Sequence, residues 1–174
     1  EMIRLIQQLM AVTPLHNFNL NLTASQYQDS HTAEALQDFA NQLDGPDHLT
    51  IEVTDVVATS GTRQISAGYR AAGMNLLIDD VGSDNSYELV HGKFAYVEGV
   101  KFALQNLRRT TKPDELLERV RFWQKTAADN GLLFILEGVE TADDLQQAKQ
   151  MGIRYVQGYY FDKPTDPTPN ASGN

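Results

Sequence analysis

Leu132-Leu133-Phe134-Ile135-Leu136-Glu137 is the stretch on which the fold is read: five consecutive apolar residues ending on a carboxylate. A short apolar run bounded by turn signals reads as a buried strand. Just before it, Asn130-Gly131 stops a helical stripe of Leu116, Val120, Trp123 and Ala127 that follows Pro113. Just after it, Thr141 with Asp144 resembles a capping box and opens a helix that closes at Met151-Gly152. A buried strand with a helix on each side, joined by short connections, is the repeating unit of a parallel sheet.

The same alternation extends in both directions. Downstream, Tyr155–Tyr160 reads as a sixth strand. Upstream, Tyr96–Lys101 reads as a fourth, weakened by Gly99, and Ser86–His91 as a single helical turn. Leu76-Leu77-Ile78 runs into Asp79-Asp80 as a third strand, after a helix marked by Ile65, Tyr69 and Ala72 and stopped at Gly73. Leu49, Ile51 and Val53 alternate with polar residues as a second strand. Phe18, Leu20 and Leu22 alternate with Asn19 and Asn21 as a first. Between them lies a helical stripe of Ala33, Leu36, Ala40 and Leu43, ended by Gly45-Pro46. Another stripe, Met2 to Met10, stops before Pro14. Phe39, Tyr69 and Trp123 fall on helical stripes and read as core. From Thr165 onward the sequence is polar and Pro-rich, a flexible tail.

The 174 residues suffice for one domain, at roughly 100–200 residues each. With 41% apolar and 21% charged residues, collagen-like, disordered and coiled-coil classes drop out. The absence of cysteine excludes a disulfide scaffold, a thiolate metal site and a Cys nucleophile. Fourteen Lys and Arg against 23 Asp and Glu give a charge of −9, opposite to that of a protein coating nucleic acid polymers. A small anionic ligand stays open if metal ions or a local Lys or Arg screen the acid. No apolar run reaches the ~18 residues of a membrane span, and no signal peptide is visible. The expected location is cytoplasmic, or the cytoplasmic portion of a larger protein. Because the chain opens with Glu1, it reads as a fragment.

Polar residues recur in or at the carboxyl ends of successive strands: Asn21, Glu52, Asp79 with Asp80, Lys101, Glu137 and Gln157. In a (β/α) barrel those ends converge on the one face where chemistry is done. Carboxylate and amide oxygens are ligands for hard divalent cations. Two such ions can clamp the attacking and leaving oxygens of a phosphodiester displacement, and a Lys nearby offsets charge on a phosphoryl oxygen. A closed barrel of this type needs eight strands. Six are readable, so the expectation is a TIM-like α/β barrel that is incomplete in this chain, with its first strand or strands missing. His16, His31, His48 and His91 share no spacing and read as surface residues. Glu115 and Glu118 read as a solvated helix face.

In this order and on these strands, the residues resemble the EAL-domain cyclic di-GMP phosphodiesterases, from about residue 1 to Pro164. Asn21-Leu22-Thr23 looks like the family's N-L-S, Ile51-Glu52-Val53-Thr54-Asp55 like E-I-T-E, and Asp79-Asp80-Val81-Gly82 like D-D-F-G. Lys101 matches the Lys of K-I-D. Glu137-Gly138-Val139-Glu140-Thr141 reproduces E-G-V-E-T, and Gln157-Gly158-Tyr159 the closing Q-G-Y, with Lys163-Pro164 for the usual R-P. The resemblance implies a two-metal Mg²⁺ or Mn²⁺ site on Asn21, Glu52, Asp79, Asp80 and Glu137. It implies catalytic roles for Glu137, Lys101 and Asp80, with Lys101 positioning the attacking water. Asp55, Glu140 and Gln157 become supporting residues that hold loops and ligands. Tyr159 and Pro164 are substrate-binding candidates. The implied domain spans 1–164, with a tail over 165–174.

The departures are specific. The E-A-L segment is not in this chain, so its metal-binding Glu and the Arg after it are missing. Val81-Gly82-Ser83-Asp84-Asn85-Ser86-Tyr87 stands where the family has F-G-T-G-Y-S-S, which puts an extra acid at Asp84. Ala103 replaces the Asp of K-I-D. Three functions follow. One is metal-dependent hydrolysis of cyclic di-GMP to pGpG, expected to be weak or absent in this piece alone. Another is an inactive cyclic di-GMP-binding domain, and the third a protein-interaction regulatory domain. Expected partners are cyclic di-GMP, a second copy of the chain, and a fused or separate sensory or diguanylate cyclase domain.

Overall fold

The computed structural model describes residues 17–54 and 62–164. The helix expected over Met2–Met10, His16, Asp55 and the tail from residue 165 lie outside the described residues. Six strands form one all-parallel sheet in chain order: β1 (Phe18–Leu22), β2 (Leu49–Val53), β3 (Asn75–Ile78), β4 (Gly99–Ala103), β5 (Leu133–Glu137) and β6 (Tyr155–Gln157). Helices fill the crossovers: α1 (Ala24–Gln28) and α2 (Ser30–Ala40), α3 (Thr62–Ala71), α4 (Tyr87–Val90), α5 (Leu104–Leu107) with α6 (Pro113–Asp129), and α7 (Ala142–Gln150). Sequential parallel strands with helical crossovers make the wall of a (β/α) barrel. Among the described residues β1 and β6 are its two open edges, so the wall is incomplete.

Register divides the sheet into two faces. Leu20, Ile51, Leu76, Ile78, Val100, Phe102, Phe134 and Leu136 are buried against the helices, in two adjoining cores. One core packs Leu36 and Phe39 of α2 and Tyr69 of α3 onto β1–β3. The other packs Val120, Trp123 and Ala127 of α6 onto β3–β5. The opposite face follows from pairing. Asn21 pairs with Glu52, Glu52 with Leu77 and Leu77 with Gly99. Two and four residues beyond Gly99 come Lys101 and Ala103, and Ala103 pairs with Glu137, which pairs with Gln157. Side chains alternate along a strand, so Asn21, Glu52, Lys101, Glu137 and Gln157 all stand on the face turned away from the helices.

Local chemistry fixes the ends. Asp29 caps α2 through Thr32 N at 2.9 Å. The capping box of α7 forms as read: Thr141 Oγ1 accepts from Asp144 N at 3.1 Å, and Asp144 Oδ2 accepts from Thr141 N at 2.9 Å. Two strands differ from the sequence reading by more than one residue. The fourth begins at Gly99 rather than Tyr96, which closes a 3-10 segment over His91–Tyr96, and it runs on to Ala103. Gly99 belongs inside it, because a Cβ there would lie 2.8 Å from both the Cβ and the carbonyl oxygen of Leu133. The sixth strand stops at Gln157 instead of Tyr160. Gly158 presses against the Val139 backbone with φ +153° and turns the chain, and Tyr160 N then donates to Val139 O at 3.0 Å.

The close approach of β4 to β5 yields a prediction. Gly99→Ala lowers stability by about 1–3 kcal/mol, the usual consequence of overpacking. A reduced urea midpoint at unchanged slope checks it, and a wild-type midpoint contradicts it.

Candidate active site

Lys101 stands in the middle of the acid-bearing face, its side chain only 3% exposed. Its Nζ lies 2.7 Å from Glu52 Oε2, 3.2 Å from Glu137 Oε2 and 3.8 Å from Asp79 Oδ1. The sheet thus brings acids from three different strand ends onto one ammonium. Glu52 is itself buried, and its other oxygen, Oε1, accepts from Asn19 Nδ2 at 2.7 Å.

Asp79 and Asp80 are held differently. Asp79 Oδ1 accepts from Asp80 N at 2.9 Å. Its carbonyl accepts at 2.7 Å from Nδ2 of buried Asn85, which also donates to Thr54 O at 2.6 Å. Asn85 therefore fastens the turn over 81–85 to the end of β2. Asp80 adopts φ +54°, a left-handed conformation that Asp tolerates. Its Oδ1 accepts at 2.7 Å from Asn106 Nδ2, which also lies 3.3 Å from Ser83 Oγ. A second clamp joins the loops after β4 and β5. Arg108 donates to Gly138 O at 2.8 Å and pairs with Asp144 at 2.8 Å and Glu140 at 3.4 Å.

Burial pushes the Asp79 carboxyl up to about 6; repulsion from Asp80 and Glu137 adds to the rise, and Lys101 opposes it. Asp80 is also raised, first by burial and then by the charges of Asp84 and Glu137. Burial alone would lower the Lys101 ammonium, but Glu52, Asp79 and Glu137 together outweigh it and hold Lys101 above the usual range. Lys101 therefore carries its proton throughout the neutral range, while Asp79 gives up its proton only near pH 6.

Several other anticipated residues occupy the same face without joining the ion cluster. Asn21 is exposed beside Glu52 in register; Asn19, one alternation earlier, makes the hydrogen bond to Glu52 instead. Glu140 supports the loop through Arg108. Gln157 is exposed, and its carbonyl accepts from Val139 N at 3.1 Å. Tyr159 and Pro164, with Glu137, Gln157, Phe161 and Lys163, line an open cavity of about 490 Å³ beside the acids. Asn19, Asn85, Asn106 and Arg108 were not singled out from sequence. Only Asn19 carried a usable signal, since strand alternation puts it on the face of Asn21.

No three Asp, Glu or His side chains among the described residues stand as a preformed ion cage. The acids are gathered around the ammonium instead. The donors are nevertheless all oxygen and clustered on one rim, and Glu52, Asp79 and Glu137 already share a cation. In that chemistry they fit Mg²⁺ or Mn²⁺, with Glu52, Asp79, Asp80 and Glu137, and Asn21 beside Glu52 in register, as the residues whose oxygens would hold it.

A family model described as EAL domain matches residues 1–164. The chain belongs to the EAL domain family. Among its relatives is the uncharacterised protein YuxH of Bacillus subtilis, 30% identical over 122 residues, or 68% of this chain and 28% of YuxH. The probable cyclic di-GMP phosphodiesterase PdeN of Escherichia coli is 23% identical over 67% of this chain and 23% of its own length. Among solved structures, a manganese and cyclic di-GMP complex of Klebsiella pneumoniae BlrP1 superposes with a TM-score of 0.75 at 28% identity, over 94% of this chain and 42% of that one. The chain spans 19–28% of the lengths of three curated relatives that it matches. No helix among the described residues is long and apolar enough to cross a membrane.

The raised Asp79 carboxyl gives a pH dependence with a definite sign. Its native pKa of about 6 lies above the ordinary value of 3.8. The stability this group contributes is therefore full below that ordinary value, and it is lost as pH rises through about 6. The Tm of the metal-free wild type therefore carries a fall between about pH 4 and pH 7 that Asp79→Asn, neutral throughout, does not share. Unfolding scans of both proteins across that range check it; an identical pH dependence in the two contradicts it.

Proposed function

We propose that this EAL domain binds cyclic di-GMP at the rim formed by Glu52, Asp79, Lys101 and Glu137 and hydrolyses one phosphodiester to pGpG. The observation that carries the reading is the convergence of acids from β2, β3 and β5 on one buried Lys, beside an open cavity. Two Mg²⁺ or Mn²⁺ ions, when bound, would neutralise phosphate charge and lower the pKa of the attacking water. In this proposal Asn21, Glu52, Asp79, Asp80 and Glu137 hold them. Glu137, the most exposed acid facing Lys101, orients the water and receives its proton. The Lys101 ammonium offsets charge that develops on the phosphoryl oxygen. Asn19 and Asn85 fix Glu52 and the Asp79 turn, and Arg108 with Glu140 fixes the loop carrying Glu137. Asp55 is assigned to the loop after the Asp pair and Gln157 to support of the Glu137 loop. Tyr159 and Pro164 contact the ligand from the cavity wall.

We take 1–164 as the domain and 165–174 as its tail. A cytoplasmic location, association with a second copy, and a sensory or diguanylate cyclase partner complete the reading. A second reading, binding without turnover, is favoured by one feature: the acids enclose the ammonium of Lys101 rather than a ready ion cage.

Cyclic di-GMP is incubated with Mg²⁺ or Mn²⁺ and the longest natural chain carrying this sequence. Release of pGpG is expected. Asp79→Asn reduces it by at least about 100-fold, beyond the 10–100-fold typical of supporting residues. Binding without release selects the second reading, and absence of binding overturns both.

A further inference from the structure

We propose that Lys101 is the resident counter-ion of the acid rim, and that a divalent ion enters only by displacing the Lys101 ammonium from the carboxylates it holds. This rests on the metal-dependent reading above.

Four of the six oxygens of Glu52, Asp79 and Glu137 are already engaged. Both oxygens of Glu52 are engaged, Oε2 by Lys101 and Oε1 by Asn19. Asp79 Oδ1 faces both Lys101 and the Asp80 amide, and Glu137 Oε2 faces Lys101. No buried side-chain polar atom among the described residues lacks a partner. A hard cation needs several of these same oxygens at roughly 2.0–2.6 Å. The ammonium already lies between them, with carboxylates on more than one side. Like charges packed this closely repel, so cation and ammonium cannot share the same oxygens at full strength. Displacement also has a direction. Glu137 is the most open of the three acids, with 24% of its side chain exposed, and the cavity wall begins beside it. Moving toward that side takes the ammonium off Glu52 and Asp79 and keeps it beside the cavity that Glu137 lines. Lys101 thus acts as a positioning residue, holding three acids together until an ion replaces it.

Mg²⁺ is titrated into the metal-free wild-type protein and Lys101→Met by calorimetry, with thermal unfolding of both. The lysine ammonium ¹H–¹⁵N signal of the wild type is followed in parallel. Lys101→Met is expected to unfold at lower temperature without metal and to gain more in Tm from Mg²⁺ than the wild type. It should bind Mg²⁺ tighter by about tenfold or more, the size of one lost competing charged hydrogen bond. The Lys101 signal shifts in step with Mg²⁺ saturation. Equal or weaker binding by folded Lys101→Met, or a Lys101 signal unmoved at saturation, overturns the proposal while leaving the metal-dependent reading in place. Mg²⁺ binding to neither protein overturns both. If Lys101→Met does not fold, the wild-type signal decides alone: a shift supports displacement and a fixed signal refutes it.

Discussion

Three carboxylates on a water-poor face repel one another, and the ammonium of Lys101 is what lets them stay there. It touches acids from β2 and β5 directly and faces the one that follows β3, so it links ends of the sheet that share no local sequence. Removing one partner from such a buried cluster costs about 3–5 kcal/mol, because the remaining charges are stranded. The cluster is therefore a constraint on the backbone. It requires β2, β3, β4 and β5 to keep a register in which Glu52, Lys101 and Glu137 share a face.

The scaffold meets that requirement with unremarkable parts. Apolar side chains on the other face bury the sheet against α2, α3 and α6, and close packing at Gly99 holds β4 against β5. Loops after the strands are fastened by side chains at their bases: Asn85 to β2, Asn106 to Asp80, Arg108 to Gly138. Each fastening acts on backbone or carboxylate beside the rim, so rigidity is concentrated where the acids sit. The extra acid at Asp84 works against this, raising Asp80 by repulsion, and Asn106 partly offsets it.

Alternation and apolar runs made the strands legible, because a parallel sheet covered by helices imposes a simple hydrophobic pattern. Boundaries failed where the deciding contact was tertiary. Gly99 reads as a weak point of its strand until the neighbouring Leu133 explains it, and Gly158 ends β6 early because Val139 approaches from another loop. The acids that meet at Lys101 were readable as one cluster from their positions at strand ends. Their common partner was foreseen only as one more rim residue, since a one-dimensional pattern does not show that three carboxylates will turn inward onto one Lys. The amides that hold the acids in place were not foreseen at all, because an Asn in a turn carries no mark of which carbonyl it will reach. Asp55 was named from its motif and lies outside the described residues.

Acids far apart in the chain meet at a single rim around one cation. Anomalous diffraction from crystals soaked in Mn²⁺ tests that directly. Manganese is expected on oxygens of Glu52 and Asp79, beside Asp80 and Glu137, with the Lys101 ammonium moved off Glu52. Manganese held only by other residues, or none at the rim under saturating conditions, contradicts it.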